Sequence, residues 1–152
     1  MTSQINMLKE TLKKDEIAAM KARDKARVSV LRLVNSEIKA YEVNNREEIS
    51  DENVIKIVEK SIKQNKEALE YAKQANNEEK IAEGNFAIEV LTPYLPKQLT
   101  DEELVAEVKK VIEKLNATSM KDMGPVMKEA KATIGAQADG KRINEVVKSL
   151  LA

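Results

Sequence analysis

The sequence predicts an all-α protein in two parts, and three observations carry that prediction. Lys, Glu and Ala are plentiful, while the 152 residues include only 4 Gly and 3 Pro, a composition that favours helices. Apolar residues recur at intervals of three and four along nearly the whole chain, the spacing of one helix face. No run alternates with period two for long enough to make a strand. The expected architecture is an N-terminal antiparallel helical-hairpin part over residues 1–95 and a C-terminal three-helix part over 96–152, with about seven helices.

Ile5, Leu8 and Leu12 open a first stripe, which ends near the charged stretch Lys21-Ala-Arg-Asp-Lys25. Leu31, Val34, Ile38 and Tyr41 mark a second helix, and Asn44-Asn45 reads as the break after it. Ser50, followed by Asp51 and Glu52, is a helix start, because acidic residues suit the first turn. A long third stripe runs through Val54, Val58, Ile62, Asn65, Leu69 and Ala72. After Asn76-Asn77 comes a fourth, through Ile81, Gly84, Ile88, Leu91 and Leu95. Short connections between long amphipathic helices favour antiparallel neighbours.

Pro93 and Pro96 bracket Tyr94-Leu95, end the fourth helix and mark the best boundary in the chain. Thr100-Asp-Glu-Glu103 has the pattern of a capping box. Leu104, Val108, Val111, Ile112 and Leu115 follow as the apolar face of a fifth helix. Met123, Val126, Met127, Ala130 and Ile134 form the sixth stripe, with Gly135 as its C-terminal cap. Were Ser119 the cap of that helix, Pro125 would fall in its interior at a cost of about 3 kcal/mol. With Asp122 as the cap, Pro125 stands at the third position, where no intrahelical donor is needed, and a looser turn can precede it. Asp139 caps a seventh helix carrying Ile143, Val146, Val147 and Leu150.

The absence of His, Cys and Trp narrows the function classes. There is no thiolate, no disulfide, no imidazole acid or base and no His- or Cys-ligated metal. Neither a dinucleotide nor a P-loop pattern occurs, and Gly124, Gly135 and Gly140 are too far apart to cradle a phosphate. Glu47, Glu48, Asp51 and Glu52 could offer oxygens to a hard cation, but they match no calcium-loop pattern and read better as a solvated helix start. No catalytic residue, metal or cofactor is expected. No apolar run is long enough to span a membrane, and the opening MTSQINMLKE shows no basic leader followed by an apolar stretch. The expected setting is the cytoplasm.

Lys+Arg and Asp+Glu number 26 each, yet the charge is unevenly spread. Residues 1–46 carry +4, 47–83 carry −4, 84–115 carry −2 and 116–152 carry +2. Contact with a polyanion would therefore be local and salt-sensitive. Two basic sets stand out. Lys128, Lys131, Lys141 and Arg142 flank the turn between the last two helices, where exposed amides at a helix start suit phosphate. The second set is Lys21, Arg23, Lys25, Arg27 and Arg32, which either meets phosphates or pairs with Asp15, Glu16 and Asp24. Only four aromatics are present, Tyr41, Tyr71, Phe86 and Tyr94, so bound RNA would be read by shape and backbone, not by stacking. Tyr94 is expected to pack at the junction.

Three C-terminal motifs carry a family resemblance. Tyr94-Leu-Pro-Lys-Gln-Leu99 with Asp101-Glu-Glu-Leu104, Asp122-Met-Gly-Pro-Val-Met127, and Gly135-Ala-Gln-Ala-Asp-Gly-Lys141 together resemble the YqeY-like family. The last continues into Ile143-Asn144 and Val146-Val147-Lys148, which adds Lys148 to the basic set. Asp24-Lys-Ala-Arg-Val-Ser-Val-Leu-Arg-Leu33 is similar to the family's second helix. The C-terminal part also resembles the tail of the GatB subunit of glutamine-dependent tRNA amidotransferases, in Gly124-Pro-Val-Met-Lys128 and around Asn144. Pro125 stands where the YqeY-like family commonly has Lys, and Lys128 where it commonly has Gly.

The resemblance implies an all-α fold of two parts and a tRNA-binding or tRNA-associated accessory role without an active site. Partners implied are tRNA and a synthetase or amidotransferase component. It also brings a family label, carbon–nitrogen ligase with glutamine as amide donor. Cys is absent, and no Gly/Ser-rich stretch suggests the Ser–Ser–Lys arrangement of amidases that such chemistry would need. A protein-interaction adaptor using the acidic third and fourth helices is the remaining alternative.

Overall fold

The computed structural model of the chain describes residues 7–152. Ile5, the first residue of the first predicted stripe, lies outside the described residues. Seven α-helices and three short 3-10 turns make up the described chain, with no strand. The helices are α1 (Met7–Lys21), α2 (Lys25–Asn45), α3 (Asp51–Gln74), α4 (Glu78–Leu91), α5 (Asp101–Leu115), α6 (Met123–Ile134) and α7 (Gly140–Leu151). Among the described residues, no helix is long and apolar enough to cross a membrane. The chain divides into two compact units, Met1–Leu95 and Pro96–Ala152.

In the first unit α1 packs on α2 and α3 on α4, as sequential antiparallel helices do. The core joins Leu12 of α1, Leu31, Val34 and Ile38 of α2, Val54, Val58 and Ile62 of α3, and Val90 and Leu91 of α4. Ile49, from the α2–α3 connection, is fully buried among them. Three caps set the registers. Asp24 accepts from the Arg27 N–H, Ser50 from Asn53 and Asn77 from Lys80. Each satisfies a donor that the first helical turn leaves orphaned.

Two details differ from the sequence expectation. Asn44-Asn45 does not break α2; both are helical, and the chain reverses at Arg46, with φ 53°. The Asn45 side chain donates to the Tyr41 carbonyl instead, spending its amide inside the last turn. In α4 the buried positions are Gly84, Ala87, Val90 and Leu91, whereas Ile81 and Ile88 are only half-buried. Small residues face α3 because the two helices approach closely there. A Cβ placed on Gly84 would lie 3.4 Å from Leu69 Cδ1.

After α4, Thr92–Tyr94 forms a 3-10 turn with Pro93 in its first residues. Tyr94 packs against the first core, and its hydroxyl donates to Asp15 Oδ2 at 2.5 Å. Burial first, then that bond and the carboxylate charge, hold the phenol above the ordinary tyrosine range.

The second unit is a three-helix bundle in which α5, α6 and α7 each contact the other two. Leu104, Val108, Val111, Val126, Ala130, Ile134, Ile143, Val147 and Leu151 form its core, joined by Ala138. The Thr100/Glu103 capping box forms in both directions, and its bonds to the carboxylate lower the Glu103 pKa. Asp122 directly precedes α6, so Pro125 takes the third helical position. Its side chain does not cap α6; it accepts from the Thr118 N–H at 3.0 Å. Ser119 opens the 3-10 turn Met120–Asp122 before it. Gly135 ends α6 at φ 59°, a conformation that costs glycine little.

Candidate nucleic-acid interface

Helices α6 and α7 carry the C-terminal basic set because their apolar faces are committed to the bundle. On α6, Val126, Ala130 and Ile134 are buried, which turns Lys128 and Lys131 outward, one turn apart. On α7, burial of Ile143, Val147 and Leu151 exposes Lys141 and Lys148 two turns apart on a shared face. A Cβ placed on Gly140 would lie 3.9 Å from Lys131 Nζ. The ammonium of Lys131 on α6 therefore sits over the first turn of α7.

All four lysines are exposed, and none forms an ion pair among the described residues. Of the neighbouring carboxylates, Glu129 is drawn away to Lys114 of α5 at 2.6 Å. Glu145 is exposed on the face of Lys141 and Lys148 and lowers its potential. Asp139 holds the start of α7 by accepting from the Arg142 N–H at 2.8 Å. That carboxylate occupies the end of the helix at which free amides were expected to meet phosphate.

Arg142 stands apart from the lysines. Its Nη2 donates to the Leu99 carbonyl at 2.8 Å and to Asp101 Oδ1 at 3.0 Å, and its side chain is only 31% exposed. It fastens α7 to the segment that enters α5. Its guanidinium is thus engaged within the unit.

The structure separates the N-terminal basic set into three places. Lys21, Arg23 and Lys25 are exposed around the α1–α2 turn, where Arg23 has φ 59°. Arg27 pairs with Asp24 at 3.5 Å and lies 5.9 Å over the Phe86 ring of α4, a cation–π geometry. Arg32 pairs with Glu16 of α1 at 3.5 Å. Among the described residues, no group of three or more carboxylates is placed to hold a metal ion. From the acidic cluster, Asp51 accepts the Leu8 N–H at 3.0 Å and so caps α1 from another helix.

Sequence reasoning missed Lys9 and Glu42, whose side chains are 11% and 20% exposed and meet at 2.7 Å. No local pattern signals a pair 33 residues apart. The family model described as Yqey-like protein matches residues 9–151. No curated protein matches the chain.

Proposed function

The chain belongs to the YqeY-like family, and from that premise we propose that it is a tRNA-associated accessory protein meeting the tRNA backbone through its C-terminal unit. The observation that supports this is the set of four exposed lysines, Lys128, Lys131, Lys141 and Lys148, on two adjoining helices, with Lys131 drawn up to the start of α7. Such cations neutralise phosphates and release counterions, which gives affinity without reading bases. The scarcity of aromatics suits a folded RNA read by its backbone rather than a stacked single strand. The role is one of binding and positioning, and it assigns no bond-making step to the chain.

A filter-binding titration of total tRNA at two salt concentrations tests the reading. Binding should strengthen as salt falls, and Lys131→Ala with Lys141→Ala should weaken it and lower the salt slope by about one unit per lost phosphate contact. Absence of binding at the lower salt would overturn it. Arg142 is left intact in this test, since its removal would disturb the entry to α5.

A further inference from the structure

Helix α2 carries two faces suited to packing, and the core uses one. Val28, Leu31, Val34 and Ile38 are its buried positions. On the opposite side Ala26, Ser29, Leu33, Ser36, Ala40 and Val43 follow one another at intervals of 3, 4, 3, 4 and 3 residues, and all six are exposed. This is the alternation of a coiled-coil seam. It runs most of the 21-residue helix, about 26 Å at the helical rise. Leu33 is 59% exposed and Val43 67%, while the small residues between them let a second backbone come close.

The flanks of the seam indicate what covers it. Directly before Ala26, Leu33 and Ala40 stand Lys25, Arg32 and Lys39, a cationic row at seven-residue spacing. Lys25 and Lys39 are exposed and form no ion pair among the described residues. Arg32 reaches Glu16 at 3.5 Å but leaves 60% of its side chain exposed. That contact puts the row on the α1 side of the seam. On α1, Ile17 and Met20 are also exposed, at 51% and 50%. The other flank, Val30, Glu37 and Asn44, holds a single carboxylate.

We infer that the outer face of α2 docks an amphipathic helix of another protein, whose own flanking positions are acidic. Charge complementarity carries the choice of occupant. In an antiparallel pair of two copies, the cationic rows would face each other. In a parallel pair, Arg32 alone would meet a carboxylate, Glu37 of the second copy. An RNA backbone would satisfy the cations but leave Leu33 and Val43 against phosphate.

Fluorescence anisotropy on the full chain tests the inference with two synthetic three-heptad peptides. Both carry Leu at the seam positions; one has Glu at the flanks and the other Lys. The Glu peptide should bind at least about tenfold more tightly. Leu33→Asp with Val43→Asp should weaken it by about tenfold or more, with the helical circular dichroism unchanged because both positions are exposed. Arg32→Glu with Lys39→Glu should reverse the preference between peptides. Equal binding of both peptides, binding of neither, or binding that survives Leu33→Asp with Val43→Asp would overturn the inference. So would a dimer in sedimentation equilibrium that Leu33→Asp splits, which gives the face to a second copy. A loss of tRNA binding in the Leu33→Asp/Val43→Asp chain would overturn it in favour of RNA.

Discussion

The ammonium of Lys9 lies 2.7 Å from Glu42 Oε2, and the same oxygen accepts the Ile49 N–H at 3.0 Å. One carboxylate thus joins α1, α2 and the connection that feeds the fully buried Ile49 into the core. Burial pushes the Glu42 pKa up, but the bonds from Lys9 and Ile49 and the charges of Lys9 and Lys13 outweigh it, leaving the pKa lowered. A lowered folded-state pKa favours folding while the group is ionised. The stabilisation is complete above the ordinary value of 4.5 and is lost as pH falls through the folded value.

Glu42→Gln should therefore cost about 1–3 kcal/mol in urea unfolding at pH 7, since it leaves Lys9 without its counter-charge. The substitution should also flatten the loss of stability below pH 4.5 relative to the parent chain. A parallel acid limb in the two proteins would contradict this account.

Glu59 should behave in the opposite sense. Burial raises its pKa, and Lys56 one turn away only partly offsets that. The ionised form is disfavoured by folding, so its penalty is present at neutral pH, is relieved as pH falls through the raised folded value and is gone below 4.5. Glu59→Gln should raise the urea midpoint at pH 7 and leave it nearly unchanged at pH 4.

Gly84→Ala tests the close approach of α3 and α4. The new Cβ would meet Leu69 Cδ1 at 3.4 Å and Leu69 Cβ at 3.5 Å, which are ordinary contacts. Replacing a mid-helix glycine gains about 0.5–1 kcal/mol, so the thermal midpoint should rise. Gly84→Leu should lower it, because the added atoms have Leu69 and the Asn65 carbonyl in their way.

Arg142→Ala and Lys141→Ala should part company. The first removes the bonds to Leu99 and Asp101 and should cost about 1–2 kcal/mol of stability. The second alters an exposed side chain and should stay within about 0.5 kcal/mol in chemical unfolding. Equal stability of the two variants would remove the clasp assigned to Arg142.

The helices and their caps were legible because their causes are local. A stripe such as Leu104, Val108 and Val111, or a Thr100–Glu103 box, is written within a few residues. The partners of Arg142 were not legible, for the converse reason. In the first turn of α7 it looks like a free cation, and its partners lie 41 and 43 residues earlier. Asn44-Asn45 suggested a break because asparagine tolerates left-handed backbone, yet Arg46 takes that conformation. The second face of α2 was hidden behind the first, since Leu31, Val34 and Ile38 already accounted for a helix there. Of the basic residues, exposure follows from periodicity, but which cations come together depends on helix packing.

The bond between Tyr94 and Asp15 spans 79 residues of chain and ties the turn after α4 to α1. Asp15 lies mid-way along α1, so the bond clasps the exit of the unit to the body of its first helix. Tension applied between Asp15 and Tyr94 would load this hydrogen bond together with the packing of Tyr94 on the first core.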